Sequence, residues 1–314
     1  MPNAAIKQTK NIARRNMGDR KAKPFLKWAG GKGQLLNEIA QYYPFAQNNI
    51  TKYAEPFVGG GAVLFDIVNK YHLDEIYISD INTELINTYC VIRDNVDELI
   101  ATLHIIEKKF LYLSQDSRKD FFLQKRKLFN EIKNGDNFQS IEKSALMIFL
   151  NKTCFNGLFR VNKKGLFNVP FGDYKSPVIC DEENLRIVSQ KLQNITIKCQ
   201  DYKTCPEFID SNTFVYLDPP YRPLNSTSSF TAYTDILFDD AEQQNLAKLV
   251  NTLHQKGAKI LLSNSDPKNI NAKDNFFYKM YSAYSIKRVE AARMINSNRN
   301  LRGKIKELLI SNFA

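Results

Sequence analysis

The chain has few histidines, no paired cysteines and no long apolar run. It contains 3 histidines and 5 cysteines in 314 residues, and none of the cysteines forms a C-x-x-C pair. Zinc sites need clustered cysteine and histidine ligands, so we expect no metal site. The odd number of cysteines fits reduced thiols. No stretch approaches membrane-spanning length, and none near the start resembles a signal peptide. We therefore expect a soluble, cytoplasmic protein that does not bind a membrane.

Acidic residues are also scarce compared with basic ones. The chain has 44 lysines and arginines against 33 aspartates and glutamates, a net charge of +11. Such an excess favours a polyanionic partner such as nucleic acid. Basic residues are concentrated at residues 1–23, where Asp19 is the single acid. We predict a basic flexible arm there, which either contacts DNA phosphates or only keeps the protein in solution.

A strand-like segment ends abruptly in an acidic residue and two prolines. Residues 213–217 alternate β-branched and aromatic side chains, and Asp218-Pro219-Pro220-Tyr221 follows. The prolines end the strand because they have no N–H to donate, and open α/β sheets bind ligands at the carboxyl ends of their strands. A carboxylate, an outward carbonyl and an aromatic ring suit a planar base with an exocyclic amine. The alternative is an ordinary Pro-Pro turn with Tyr221 in the core.

A glycine turn precedes a second acidic strand end. Residues 52–58 predict a strand, Gly59-Gly60-Gly61 a turn, and the segment from Ala62 a helix. Residues 75–79 predict the next strand, which ends in Asp80. An acid ~20 residues beyond such glycines is typical of a ribose contact. Because Leu64 stands where a G-x-G-x-x-G motif needs its third glycine, NAD binding is less favoured.

The remaining pattern predicts one α/β unit with a helical insertion. Apolar residues recur at helical spacing through residues 95–190, and further strands are predicted at 195–199, 259–264, 281–289 and 307–311. We predict a catalytic domain from residues 24–94 and 191–314, interrupted by a mostly helical target-recognition insertion at 95–190.

Several separated motifs occur in the order of a known family. They are Phe25–Lys32, Glu55–Gly61, Asp80–Asn82 and Asp218–Tyr221, and residues 155–162 and 167–172 add a target-recognition segment. Over residues 24–312 the chain resembles the Dam-type DNA adenine-N6 methyltransferases, the alpha-group enzymes of the D12 class. The resemblance implies a Rossmann-like sheet, S-adenosyl-L-methionine as cofactor and double-stranded DNA as substrate.

The resemblance also implies roles for individual residues. The catalytic residues are Asp218, Pro219, Pro220 and Tyr221. The cofactor contacts are Trp28, Lys32, Phe57, Gly59, Gly61, Asp80, Asp201 and Asp218. From their composition, the hydroxyl-rich loop at residues 222–234, with Ser226, and the basic turn at residues 293–304, with Arg293, Asn298, Arg299, Arg302 and Lys304, are expected to bind DNA phosphates, and the alternative for the turn is a solvated hairpin. By resemblance, the DNA contacts of the recognition segment and its neighbour are Lys27, Phe155, Asn156, Leu158, Arg160, Asn162 and Pro170. Among them, Arg160 corresponds to an arginine that reads guanine, and Phe155 to an aromatic residue beside the flipped base. Asp173 departs from the family, which often has arginine there.

The target we expect is the adenine of GATC. The alternatives are another site containing GA, a different amine such as cytosine N4, an RNA adenine or a protein glutamine, and a DNA-binding protein without activity. We expect a monomer, with more than one copy able to bind one DNA, associated with the nucleoid. The enzyme would belong to a restriction–modification system or act alone.

Overall fold

The computed structural model describes residues 20–28, 30–46, 49–133, 140–222, 238–292 and 304–313. The strands are β1 (Lys52–Glu55), β2 (Glu75–Asp80), β3 (Ile195–Cys199), β4 (Thr213–Leu217), β5 (Lys259–Ser265), β6 (Ser285–Ala292) and β7 (Lys304–Ser311). The helices are α1 (Leu36–Ala40), α2 (Ala62–Lys70), α3 (Thr83–Asp94), α4 (Val96–Tyr112), α5 (Gln115–Lys133), α6 (Ile141–Thr153), α7 (Glu182–Leu192), α8 (Asp240–Gln255) and α9 (Phe276–Met280).

Seven strands form one sheet in the order β3-β2-β1-β4-β5-β7-β6. The first five run parallel, whereas β7 pairs antiparallel with both β5 and β6. The chain order reverses between β1 and β4, and a crevice forms outside the carboxyl ends of the strands at such a point. Glu55, Asp80 and Asp218 therefore meet at one edge of the sheet.

The central strand β4 explains why the sheet is covered on both faces. All five of its residues are buried. Because successive side chains point to opposite faces, Phe214 and Tyr216 enter one apolar cluster, and Val215 and Leu217 enter the other. A parallel strand buried on both faces reads as a continuous apolar run, as this one does. The carboxyl end of β4 is thereby held rigidly at the crevice.

The region between β2 and β3 is mostly helical, as predicted. Helix α6 is buried along nearly its whole length and packs against α3, α4 and α5. After α6 the chain forms an irregular hairpin, with isolated bridges between Cys154 and Phe171 and between Val161 and Phe167. Helix α7 crosses residue 190, where the predicted insertion ends. The division into domains remains a prediction.

Several predicted strand boundaries are wrong; β6, for example, runs on to Ala292, and β7 begins at Lys304 rather than at residue 307. The first strand ends at Glu55 rather than at residue 58, because Pro56 has no N–H to continue the ladder. The strand predicted over 281–289 begins at Ser285. Tyr281 instead closes helix α9, where its N–H donates to the carbonyl of Phe277, and its side chain is buried. The α/β class itself is confirmed.

Candidate active site

The carboxylate of Asp218 is held on both of its oxygens. Its Oδ2 atom lies 2.7 Å from the ammonium of Lys32, and its Oδ1 atom accepts a hydrogen bond of 2.8 Å from the hydroxyl of Ser263. Lys32 also donates to the carbonyl of Gly30 at 2.6 Å. The side chain of Lys32 is only 5% exposed and that of Asp218 19% exposed. The carboxylate is therefore fixed in direction, with one face toward solvent.

Ser263 was not among the predicted site residues. It is fully buried on β5, next to β4 in the sheet, and its hydroxyl lies 3.0 Å from that of Tyr216. An ionised Asp218 can only accept, so Ser263 donates to it and Tyr216 donates to Ser263. Burial, followed by the charge of Asp218, raises the pKa of Tyr216, which keeps its proton in place. No local sequence signal marks Ser263, because it is 45 residues from Asp218.

Tyr221 lies beside this ion pair. The Lys32 ammonium is 4.7 Å from the centre of its ring, and its hydroxyl donates to Glu307 at 2.5 Å. Burial and the nearby charges of Asp218 and Glu307 raise the pKa of Tyr221. The ring that the sequence assigns to base stacking is therefore fixed at its hydroxyl and faces a cation.

A second buried acid, Glu55, lies beneath the same crevice. It ends β1, is 2% exposed, and accepts a hydrogen bond of 2.8 Å from the hydroxyl of Tyr53. Burial raises its pKa well above the ordinary glutamate value, and the charge of Asp218 adds to this effect. Glu55 opens one of the family motifs but was not among the predicted site residues, because the predicted strand continued past it to residue 58.

The glycine turn is built around Asp80. Asp80 Oδ2 accepts from the N–H of Gly59 at 3.1 Å, and Oδ1 accepts from the N–H of Asn82 at 2.9 Å. Burial raises the pKa of Asp80, and these backbone donors oppose the rise. Gly61 has φ +74°, and a Cβ there would lie 2.5 Å from the hydroxyl oxygen of Tyr89. Glycine is therefore required at this position by conformation and by space.

Trp28 packs against the other side of the turn. A Cβ at Gly59 would lie 2.9 Å from the indole Cδ1 atom, and that residue also has a positive φ of +49°. The indole stacks on Phe159 with ring centres 5.5 Å apart. Trp28 thus joins the glycine turn to the recognition segment.

The predicted adenine side of the cofactor site lies at the ends of β2 and β3. Asp80 pairs with Cys199 in the sheet, so Asp201 follows β3 at the same edge. Asp201 accepts from the N–H of Lys203 at 2.9 Å. The ring of Phe57 stacks on Tyr202, with centres 5.1 Å apart. Tyr202 was missed by the sequence analysis.

Lys27 and the recognition segment are joined by one buried amide, Asn151 of α6. Its Oδ1 accepts from the N–H of Lys27, and its Nδ2 donates to the carbonyls of Lys27 and Gly157, each at 2.9 Å. Gly157 has φ +63°, and a Cβ there would lie 2.5 Å from the side chain of Lys27. Phe155, at the start of this turn, is 52% exposed. The structure thus places Lys27 beside Gly157, in the turn from which the predicted recognition segment continues.

Arg160 lies in the hairpin with its guanidinium partly held. Its Nε donates to Oδ1 of Asn168 at 2.9 Å. Asn162 shapes the turn, since its Oδ1 accepts from the N–H groups of Lys164 at 2.9 Å and Leu166 at 3.1 Å. The orientation of Arg160 therefore depends on Asn168, which the sequence analysis did not single out.

The other predicted readers surround this hairpin. The N–H of Asn156 donates to the hydroxyl of Tyr174 at 3.0 Å, and the carbonyl of exposed Pro170 accepts from Phe155 at 2.9 Å. Leu158 is half-buried, and its carbonyl accepts from the thiol of Cys154. Asp173, with φ +55°, accepts from the side chain of Gln115.

Part of the predicted DNA interface lies outside the described residues. This applies to Ser226, Arg293, Asn298, Arg299 and Arg302, and to the side chain of Lys304 at the start of β7. Arg222, at the start of the predicted phosphate-binding loop, makes ion pairs with Asp240 at 2.6 Å and Asp274 at 2.7 Å. Its charge is therefore balanced within the protein.

Over the described ranges, no helix is both long and apolar enough to cross a bilayer. The same residues include no group of three or more histidine, cysteine or acidic side chains placed to hold a metal ion.

The sheet, with its acidic strand ends around the β1–β4 crevice, has the fold of an S-adenosylmethionine-dependent methyltransferase. The family model for D12 class N6 adenine-specific DNA methyltransferases matches residues 28–295. The chain belongs to this family. It is therefore an adenine-specific DNA methyltransferase that uses S-adenosyl-L-methionine and acts on DNA.

Three relatives illustrate the similarity. The chain is 49% identical to the type II methyltransferase M.MjaIII of Methanocaldococcus jannaschii, over 93% of this chain and 99% of the relative. It is 35% identical to the type II methyltransferase M1.LlaDCHI of Lactococcus lactis, over 93% and 95%. It is 36% identical to the DNA adenine methylase of Haemophilus influenzae, over 92% and 93%.

Proposed function

We propose that the enzyme methylates N6 of a flipped-out adenine within GATC, and that the Asp218 turn holds the reacting amine. The observation that carries the proposal is the fixed carboxylate of Asp218 at the carboxyl edge of β4, between Ser263 and Lys32. The N6 of a paired adenine is unreachable within the stack, so the base must leave the duplex.

The acceptors at the crevice fit the cofactor. Backbone N–H groups, among them those of Gly59 and Asn82, orient the Asp80 carboxylate at the carboxyl end of β2, which suits it to accept from ribose hydroxyls. Asp201 would accept from the adenine amine and Phe57 would pack nearby, while Trp28, Lys32 and the Gly59–Gly61 turn hold the amino-acid end. When bound, S-adenosyl-L-methionine supplies an electrophilic methyl group on a sulfonium sulfur.

The protein's own contribution is positioning. Asp218 and the carbonyl of Pro219 accept the two N6 hydrogens, which directs the nitrogen lone pair away from them, and Tyr221 stacks on the base. Lys32 gives up its contact with Asp218 Oδ2 when the amine arrives. Holding the reacting groups in line supplies most of the rate enhancement for such an electrophile.

The recognition segment supplies sequence selectivity. Arg160 reads one guanine through O6 and N7. Lys27 helps with the contact to the first guanine of the site. Phe155 enters the duplex beside the flipped base, and Leu158 and Pro170 approach a thymine methyl. Asn156 and Asn162 contact DNA next to them. The loop containing Ser226 and the β6–β7 connection, with Arg293, Asn298, Arg299, Arg302 and Lys304, bind the phosphates.

We further propose that residues 95–190 act as the target-recognition insertion and residues 1–23 as a basic arm. The enzyme would act as a monomer on duplex DNA, with several copies able to share one molecule, in the nucleoid of the cytoplasm. Membership of a restriction–modification system is supported by the type II names of two relatives.

Mapping of methylated adenines tests the target. The purified enzyme is incubated with mixed-sequence duplex DNA and S-adenosylmethionine, and modified adenines are located by sequencing. Methylation at GATC alone is the expected result. Methylation at other sites containing GA would replace the GATC assignment with the broader alternative, and methylated cytosine would contradict adenine as the target.

A further inference from the structure

Helix α8 contacts the catalytic turn through one buried side chain, Gln243. Its Nε2 atom donates a hydrogen bond of 3.0 Å to the carbonyl of Pro220, and the residue is 0% exposed. An amide buried without partners is costly, so a glutamine at this position needs a complete set of them. Gln243 thus joins α8 to the Pro-Pro turn by a hydrogen bond.

The second partner of Gln243 is Asn264 on β5. Asn264 is also 0% exposed, and its Nδ2 donates to Oε1 of Gln243 at 3.2 Å. Its Oδ1 in turn accepts from the N–H of Ser265 at 2.9 Å. Because the Pro220 carbonyl can only accept, Gln243 must direct its amide N–H at that carbonyl and its amide oxygen at Asn264. The amide orientations are thereby fixed.

The two proline carbonyls are consequently different. That of Pro220 is engaged inside the protein, whereas none of the described residues donates a hydrogen bond to that of Pro219. Adjacent in sequence to Asn264, Ser263 holds the carboxylate of Asp218. Two neighbouring residues of β5 therefore bear on the groups proposed to hold the amine. Ser263 bonds directly to the Asp218 carboxylate, and Asn264 supports the Pro-Pro turn through Gln243.

We propose that Gln243, supported by Asn264, is a positioning residue for methyl transfer. It locks the turn so that the Pro219 carbonyl and the Asp218 carboxylate converge on the amine, without touching the base itself. The inference rests on the proposed role of the Asp218 turn.

The test compares Gln243→Met with Gln244→Met. Methionine has a similar length but no amide, and Gln244 is an exposed neighbour on the same helix. We expect the single-turnover rate of Gln243→Met on duplex DNA to fall about 10- to 100-fold, the range expected when reacting groups are misplaced by up to ~1 Å. Dissociation constants for cofactor and DNA should stay within about twofold, and Gln244→Met should match the wild type.

Gln243→Glu adds a readout that a general structural role would not change. A neutral glutamic acid can donate to the Pro220 carbonyl, whereas its carboxylate cannot. The rate of this variant, relative to wild type at each pH, should therefore rise as the pH falls. A wild-type rate in Gln243→Met would overturn the inference. So would a rate loss matched by equal losses in binding, together with a wild-type pH profile in Gln243→Glu.

An Asp218→Ala variant separates this inference from the proposed function. If it keeps methyl transfer, the turn is not catalytic and both proposals fail. If it is inactive while Gln243→Met has the wild-type rate, only the positioning role fails.

Discussion

Arg160 is the side chain proposed to read a guanine of the target site. Arg160→Ala should reduce discrimination at one guanine by about one to two orders of magnitude, because a bidentate arginine–guanine contact is worth roughly 1–3 kcal/mol. Preference at the other positions should remain. The measurement is methylation of duplexes substituted at each position, with Lys164→Ala, exposed on the same hairpin, as control. Unchanged guanine preference in Arg160→Ala would exclude Arg160 as the reader.

Asp80 is the residue proposed to hold the cofactor ribose. Asp80→Ala should weaken cofactor binding about 10- to 100-fold, since hydrogen bonds to a charged group are worth roughly 1.5–3 kcal/mol. Isothermal titration calorimetry measures this loss. The glycine turn also loses its anchor to Gly59, so unfolding is monitored in parallel. Unchanged affinity in a folded variant would rule out the ribose contact.

At the residue scale, the sequence predicts those site residues that lie within short motifs. Asp218 and Asp80 were found because each ends a strand-like run. The supporting residues Ser263, Gln243 and Asn151 were not found, because they reach Asp218, Pro220 and Lys27 from other elements and become neighbours only through packing. Asn151, for example, bonds to Lys27 across 124 positions of sequence.

The connection between β6 and β7 is the element predicted to bind phosphates. Neutralising any one of Arg299, Arg302 and Lys304 should weaken binding to all DNA sequences alike and reduce the salt slope by about one counterion. The measurement is the DNA dissociation constant across a salt series, with Lys108→Gln on the exposed face of α4 as a charge-matched control. An unchanged slope in all three variants would mean that this connection is only a solvated surface.

Sequence predicted whole elements best where one residue pattern decides them. The bounds of β4 were predicted correctly because the run is apolar and two prolines follow. The order of β6 and β7 was not predictable, because β7 inserts beside β5 through long-range pairing. Local propensity contains no information about such a partner.

The stability of the whole molecule should respond to the buried acid Glu55. Its folded pKa is raised by burial above the ordinary value of 4.5, so the native state keeps a proton that the unfolded chain has lost. Stability should therefore fall as the pH rises from about that value toward the folded pKa. Glu55→Gln keeps a neutral partner for Tyr53 and should show a smaller fall. Denaturant unfolding across this range measures both proteins, and identical pH dependences would contradict a raised pKa.

The central claim is that the carboxylate of Asp218 holds the adenine amine for methyl transfer. The most direct measurement is the single-turnover rate of Asp218→Ala with radiolabelled cofactor on a GATC duplex, at saturating cofactor and DNA. Thermal unfolding and DNA binding are followed alongside, because Lys32 loses its partner in this variant. The account predicts a folded protein that binds DNA but transfers no detectable methyl group. Near wild-type turnover by that protein would contradict it.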